Sequence, residues 1–323
     1  MSLLQRLLLA VLLLTAPVLT AQAYDKAVVE DTIASQETIA GLKRREISID
    51  GQKLSYLDND KIQAARTVLF LHDFGDSSLS WLFFARVFRD ADYRIIVPDQ
   101  LGFGRSPRPV DADYGYLAQA KRMLSLLQAL KVKKVHLIGN SMGGGIAAKM
   151  ALLQPELVGS LTLMAASGVH YKTSDMDRLV VMGNSPLVIN KQDDFDALID
   201  FATYRRPLLT RPVVEFLGER AMKDRALHLR IFNEVLVEDL DFLMLDLPDI
   251  KPPTLVLWGE KDRVLHPDNA KLFQRYVPGV RVRTFADVGH MPMVEIPEVS
   301  AIAVMEFIDA VAPVAATSAA AAK

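Results

Sequence analysis

The sequence predicts an α/β fold: a mostly parallel central sheet flanked by helices, with a helical cap inserted late in the chain. Two observations carry this expectation. Short apolar runs suited to strands buried on both faces alternate with segments of helical period, the pattern of a parallel sheet with right-handed crossovers. That alternation stops near Gly168 and resumes only at Thr254, so the intervening stretch is an insertion bracketed by sheet rather than an independent domain. Half of the 323 residues are hydrophobic, ample for a sizeable core. The expected organisation is a core in two parts, 24–167 and 248–311, around a cap at 168–247.

Taken in order, Arg6 precedes an apolar run at 7–14, followed by Pro17 and the small-x-small site Ala21-Gln22-Ala23. This is the pattern of a secretory signal peptide, residues 1–23, with cleavage before Tyr24. It implies a secreted or periplasmic protein. The alternative is an uncleaved helix that anchors the chain, against which the apolar run is short for a span. Residues 24–42 have room for a short amphipathic helix on the body or on a membrane surface. Ile47 and Ile49, Asp50-Gly51, then Leu54 and Tyr56 predict a β-hairpin.

Strands follow at 67–71 (TVLFL) and 93–97 (YRIIV), with a helix between them over 80–88. Leu117, Ala120, Leu124, Leu127 and Leu130 recur at helical spacing. Residues 135–138 (VHLI) form the next strand, with a helix from Gly143 to near Pro155, then a strand at 161–164. Pro186, Pro207 and Pro212 punctuate the helical cap, where Phe195, Leu198, Phe201, Leu208, Phe216 and Leu217 are candidate pocket wall. Strands at 254–258 and 281–285 and a helix at 299–311 complete the core. The alanine-rich residues 312–323 are expected to be a disordered tail.

Composition excludes several functions. Lys plus Arg total 37 against 39 for Asp plus Glu, so there is no electrostatic footprint for nucleic acid. The absence of cysteine excludes disulfides, thiolate metal sites, a cysteine nucleophile and a lipid-modified lipobox. No metal-ligand cluster, cofactor motif or internal repeat is present.

The chemistry gathers at carboxyl ends of the predicted strands. Gly139, Ser141 and Gly143 match G-x-S-x-G, in which a strand stops, a sharp strained turn exposes the serine, and a helix begins. A serine hydroxyl needs a base, and that base needs a carboxylate to fix its tautomer. Of six histidines, His290 lies in a loop just past the last strand, whereas His136 is inside a strand and His228 inside the cap. Asp262 follows directly on a strand end, and the order Ser, Asp, His is that of the hydrolase arrangement. Glu260, Asp268 and Asp287 are neighbouring carboxylates better read as ordinary turn residues. Met142, after the nucleophile, and Phe74, in the loop after TVLFL, are the expected backbone donors to an oxyanion. His72 is expected to order that loop. With an ordinary histidine pKa of roughly 6.5, activity would fall on acidification through that region.

These motifs, with Asp99-Gln100-Leu101-Gly102-Phe103-Gly104-Arg105-Ser106, resemble the α/β-hydrolase superfamily from about Arg45 to Val311. Within it, Asn184-Ser185-Pro186-Leu187 and the helix after Asp194 resemble bacterial lipases and esterases related to monoacylglycerol lipases. The resemblance implies hydrolysis of carboxylic esters through an acyl-enzyme. It assigns nucleophile, acid and base to Ser141, Asp262 and His290, and the oxyanion hole to Phe74 and Met142. Small-molecule acyl esters or lipids are the implied substrates, with peripheral membrane contact through the cap or a retained N-terminus. One departure stands out: Asp73 occupies the place where this family usually has glycine, bringing a carboxylate to the oxyanion hole. The elbow also resembles that of carbon–carbon bond hydrolases of the meta-cleavage type, a second expectation. A third is a binding protein on the same fold that has lost catalysis.

Overall fold

The computed structural model describes residues 24–237 and 240–311. The leader expected at 1–23 and the tail at 312–323 lie outside the described residues. After helix α1 (Lys26–Ile39) come β1 (Lys43–Ile49), β2 (Gln52–Asp58), β3 (Arg66–Leu71), α2 (Leu82–Phe88), β4 (Tyr93–Pro98), α3 (Tyr116–Ala129) and β5 (Val135–Asn140). Then follow α4 (Met142–Leu153) and β6 (Val158–Met164). The sheet has eight strands in the order β1-β2-β4-β3-β5-β6-β7-β8, where β7 is Thr254–Gly259 and β8 is Arg281–Phe285. Only the β1–β2 and β2–β4 pairs are antiparallel.

The hairpin turns as its sequence requires. Asp50 and Gly51 both adopt positive φ, 50° and 76°, the two-residue turn whose twist matches the strands. Along β3, Val68, Leu69, Phe70 and Leu71 are fully buried, each such side chain contributing about 1.5–3 kcal/mol. In α3 the buried face is Tyr116, Ala120, Met123, Leu124 and Leu127, while Leu117 is exposed. The periodicity was therefore right in kind and one residue off at its start.

Between Met164 and Thr254 the described residues hold no strand. They form α5 (Asp175–Val181), α6 (Gln192–Ala202), α7 (Arg211–Lys223), α8 (Arg225–Ile231) and a π-turn at Phe232–Val237. α1 lies against this cap: Val29 and Ile33 pack on Phe216, and Leu217 joins them. Phe216 and Leu217 are thus packing residues for α1, and Leu208 is fully exposed. α1 also holds the body, Glu37 pairing with Arg44. After β7 come α9 (Ala270–Tyr276), β8, α10 (Pro292–Glu295) and α11 (Pro297–Val311).

The centre of the fold is a contact of backbone on backbone. A Cβ on Gly139 would lie 2.2 Å from the Gly143 carbonyl oxygen, and one on Gly143 would lie 2.3 Å from that of Leu71. No side chain can move aside to relieve either clash. Gly139→Ala is expected to lower the unfolding free energy by about 1–3 kcal/mol, measured by urea denaturation. An unchanged midpoint would show that the elbow tolerates a wider spacing.

Candidate active site

Ser141 sits between β5 and α4 at φ 51° and ψ −117°, a left-handed conformation that costs a serine roughly 1–3 kcal/mol. The surroundings hold it there. Its N–H donates to the Met164 carbonyl at 2.9 Å, and its own carbonyl accepts from the N–H groups of Gly145 at 3.0 Å and Ser167 at 3.1 Å. Asn140 then links the elbow to the last loop, its amide donating to the carbonyls of Met164 at 3.1 Å and His290 at 3.0 Å.

His290 comes from the loop after β8. Its N–H donates to Ala202 of the cap at 2.8 Å, and its Nδ1 lies 2.8 Å from Asp262 Oδ2. Asp262 is pinned from four sides: Oδ1 accepts the N–H groups of Val264 and Leu265 at 2.9 and 3.0 Å, and Oδ2 also accepts Trp258 Nε1 at 3.0 Å. A carboxylate so held cannot rotate, and it fixes the proton of the imidazole on Nδ1. Ser141, Asp262 and His290 are all buried and meet at one edge of the sheet. Of the neighbouring carboxylates, Glu260 accepts from Thr284, Asp268 pairs with Lys172 and Lys271, and Asp287 faces Arg205, none of them touching His290.

The expected oxyanion donors converge, and an acceptor already lies where they meet. Phe74 N–H donates to Asp73 Oδ1 at 2.6 Å, and Met142 N–H reaches the same oxygen over a long 3.4 Å. Asp73 Oδ2 lies 3.3 Å from His290 Nε2, close but without an aligned hydrogen bond. Among the described residues no hydrogen bond joins Ser141 Oγ to His290. The loop is otherwise firmly set. His72 Nδ1 lies 2.7 Å from the Asp73 carbonyl, and its Nε2 accepts the Gln100 N–H at 3.0 Å, so the ring is the neutral Nδ1–H tautomer. Burial keeps His72 below its ordinary pKa and pushes His136 and His228 down to about 4. His136 contacts Ser160, and His228 stacks on Phe103.

Burial also opposes a charge on His290, but Asp262 and Asp73 outweigh it and push the ring up to about 10. The shift is upward from the ordinary value of about 6.5 because two carboxylates face the ring. Three positioning residues were missed from sequence. Asn140 ties elbow to loop, Trp258 holds Asp262, and Glu295 accepts the N–H groups of Gly289, Tyr204 and Arg205, joining the His290 loop to the cap. Asn140 stands beside Ser141 and Trp258 four residues before Asp262, so adjacency was the available signal. Glu295 carried none.

Comparison with known proteins places this geometry. A family model described as alpha/beta hydrolase fold matches residues 66–186 and 191–297. The chain is 33% identical over 250 residues to Lipase 1 of Psychrobacter immobilis, covering 76% of this chain and 77% of that protein. It is 26% identical over 256 residues to Monoacylglycerol lipase ABHD6 of Rattus norvegicus, covering 76% of each. A solved structure described as a membrane phospholipase A, a bacterial virulence factor, superposes with a TM-score of 0.85 at 35% identity, over 96% of this chain and 100% of that one.

With the folded-state pKa of His290 above its unfolded value, the base form appears only as pH rises toward about 10. Modification of Ser141 by a fluorophosphonate is expected to accelerate from pH 7 to 10; an inflection near 6.5 would contradict the raised value. The same proton stabilises the fold fully below about pH 6.5 and ceases to do so as pH climbs through about 10. Relative to His290→Gln, the wild type should therefore lose unfolding free energy over that window in urea titrations.

Proposed function

Because the chain belongs to the α/β-hydrolase fold family, we propose that it is a serine hydrolase that cleaves carboxylic esters of lipids through an acyl-enzyme, with Ser141 as nucleophile, His290 as base and Asp262 as acid. The observation that carries this proposal is the 2.8 Å contact of His290 Nδ1 with a fully pinned Asp262, on the sheet edge where Ser141 is held in its strained turn. In its neutral form His290 takes the hydroxyl proton as Ser141 attacks the acyl carbon. The carbonyl oxygen gains negative charge and is met by the N–H groups of Phe74 and Met142, the latter at the N-terminus of the 12-residue α4, where the helix dipole favours an anion. His290 then gives the proton to the departing alcohol, and water releases the acid by the same steps in reverse order.

The names of the lipase and monoacylglycerol lipase relatives support acyl glycerols as the substrate class. The proposal extends to an enzyme working beyond the cytoplasmic membrane, released after cleavage before Tyr24 or held by an uncleaved segment 1–23, in contact with lipid through the cap or that segment. N-terminal mass of the exported protein separates the two forms. Among the described residues no helix is long and apolar enough to cross a membrane.

With p-nitrophenyl esters graded by chain length, Ser141→Ala and Asp262→Asn are each expected to lower kcat by roughly 10⁴-fold or more, with the melting temperature of Ser141→Ala within a few degrees of the wild type. No turnover of any ester, together with cleavage of a vinylogous diketone, would replace the proposal by the carbon–carbon hydrolase expectation. Absence of Ser141 labelling by a fluorophosphonate would favour a binding protein.

A further inference from the structure

An ester can react at Ser141 only if its carbonyl oxygen comes within about 2.7–3.1 Å of both backbone donors. Asp73 Oδ1 already accepts from both. The contact to Phe74 is local, from one residue to the next, and any aspartate in this turn could make it. The contacts that matter join distant parts of the chain: Oδ1 to Met142 at the head of α4, and Oδ2 to His290 beyond β8. One oxygen in the hole and the other against the base is the arrangement that the free acid left by ester cleavage would adopt. Asp73 is buried, and among the described residues its only ionic partner is His290.

Resting on the hydrolase proposal above, we propose that Asp73 is an internal carboxylate ligand of the oxyanion hole, displaced by the ester carbonyl at the start of each turnover and competing there with free carboxylates. Two features make the displacement feasible. Asp73 is not among the residues with positive φ, so its backbone does not require glycine, and a change of χ1 moves the carboxylate while leaving the backbone N–H groups in place. The loop itself stays fixed by His72 and Gln100, leaving Phe74 N–H aimed at the vacated point. The consequence is a specificity element. A neutral ester must beat one tethered carboxylate, whereas an anionic product must also face that charge at close range, so product leaves readily while the first encounter is slowed.

The test uses the full chain with Asp73→Gly and Asp73→Asn, p-nitrophenyl butyrate as substrate, a fluorophosphonate as probe of Ser141 and sodium butyrate as competing carboxylate. Asp73→Gly is expected to raise both the phosphonylation rate and kcat/KM at least tenfold and to lower the inhibition constant of butyrate at least tenfold. Asp73→Asn should move all three the same way by less, because its amide oxygen still accepts from both donors without the charge; it also carries the test if the glycine variant does not fold. A structural role alone would lower the melting temperature without tightening butyrate. Labelling of wild type and variants at one rate, butyrate binding that does not tighten, or slower reaction of Asp73→Gly would overturn the assignment while leaving the hydrolase proposal standing. Ser141 left unlabelled in all three proteins would overturn both.

Discussion

The site depends on backbone meeting backbone where β5, α4 and β3 converge. Because Gly139 and Gly143 carry no side chains, the chain turns within van der Waals range of itself and of the Leu71 carbonyl. The serine between them is thereby forced to positive φ, a cost that the burial of the neighbouring strands readily exceeds. The candidate site is then measured from that turn. The helix head supplies Met142 N–H, and Asn140 reaches from the end of β5 to hold the backbone of His290. One packing constraint therefore sets Ser141, Met142 N–H and His290 in a common frame.

Buried charge around that frame is settled carboxyl by carboxyl. Asp99 has Arg44 at 2.9 Å and two backbone N–H groups, and these overcome its burial and hold it below the ordinary carboxylate range. Asp262 has His290, Trp258 and two backbone N–H groups. Asp76 has no cation within reach among the described residues; burial, reinforced by Asp73 and Asp99, pushes it up to about 7. Asp73 is left to share His290 with Asp262. Removing one partner from such a buried set exposes the others to an uncompensated desolvation cost, so the ring and its two carboxylates depend on one another.

Much of this was legible in the sequence, for identifiable reasons. Strands buried on both faces are written as unbroken apolar runs, so β3, β4, β5 and β7 could be placed within a residue or two. The elbow and the order of serine, acid and histidine are local patterns, as is the departure at Asp73. What could not be read was where side chains point. Leu208 and Phe195 look equally apolar in sequence, yet Leu208 ended wholly in solvent because cap packing, a matter of long-range contacts, decides it. Likewise, the loop sequence carries Asp73, but only its rotamer shows that its carboxylate accepts from Phe74 and Met142 and lies 3.3 Å from His290. Glu295 gathers N–H groups from the neighbouring Gly289 and from Tyr204 and Arg205 far back in the chain, which no spacing rule anticipates.

The oxyanion loop belongs to the cap as much as to the body. The ring of Phe74 stands edge-on to Phe103 and His228 at 5.7 Å and to Phe232 at 5.9 Å, and two of those three partners lie in the cap. Phe74 adjoins Asp73, so these ring contacts bring α8 and the π-turn within one residue of Asp73. His228 enters this cluster as a neutral ring, its pKa pushed down to about 4 by burial against Phe103 and Phe74. The same aromatic packing thus fixes the loop whose next residue back, Asp73, faces His290 at 3.3 Å.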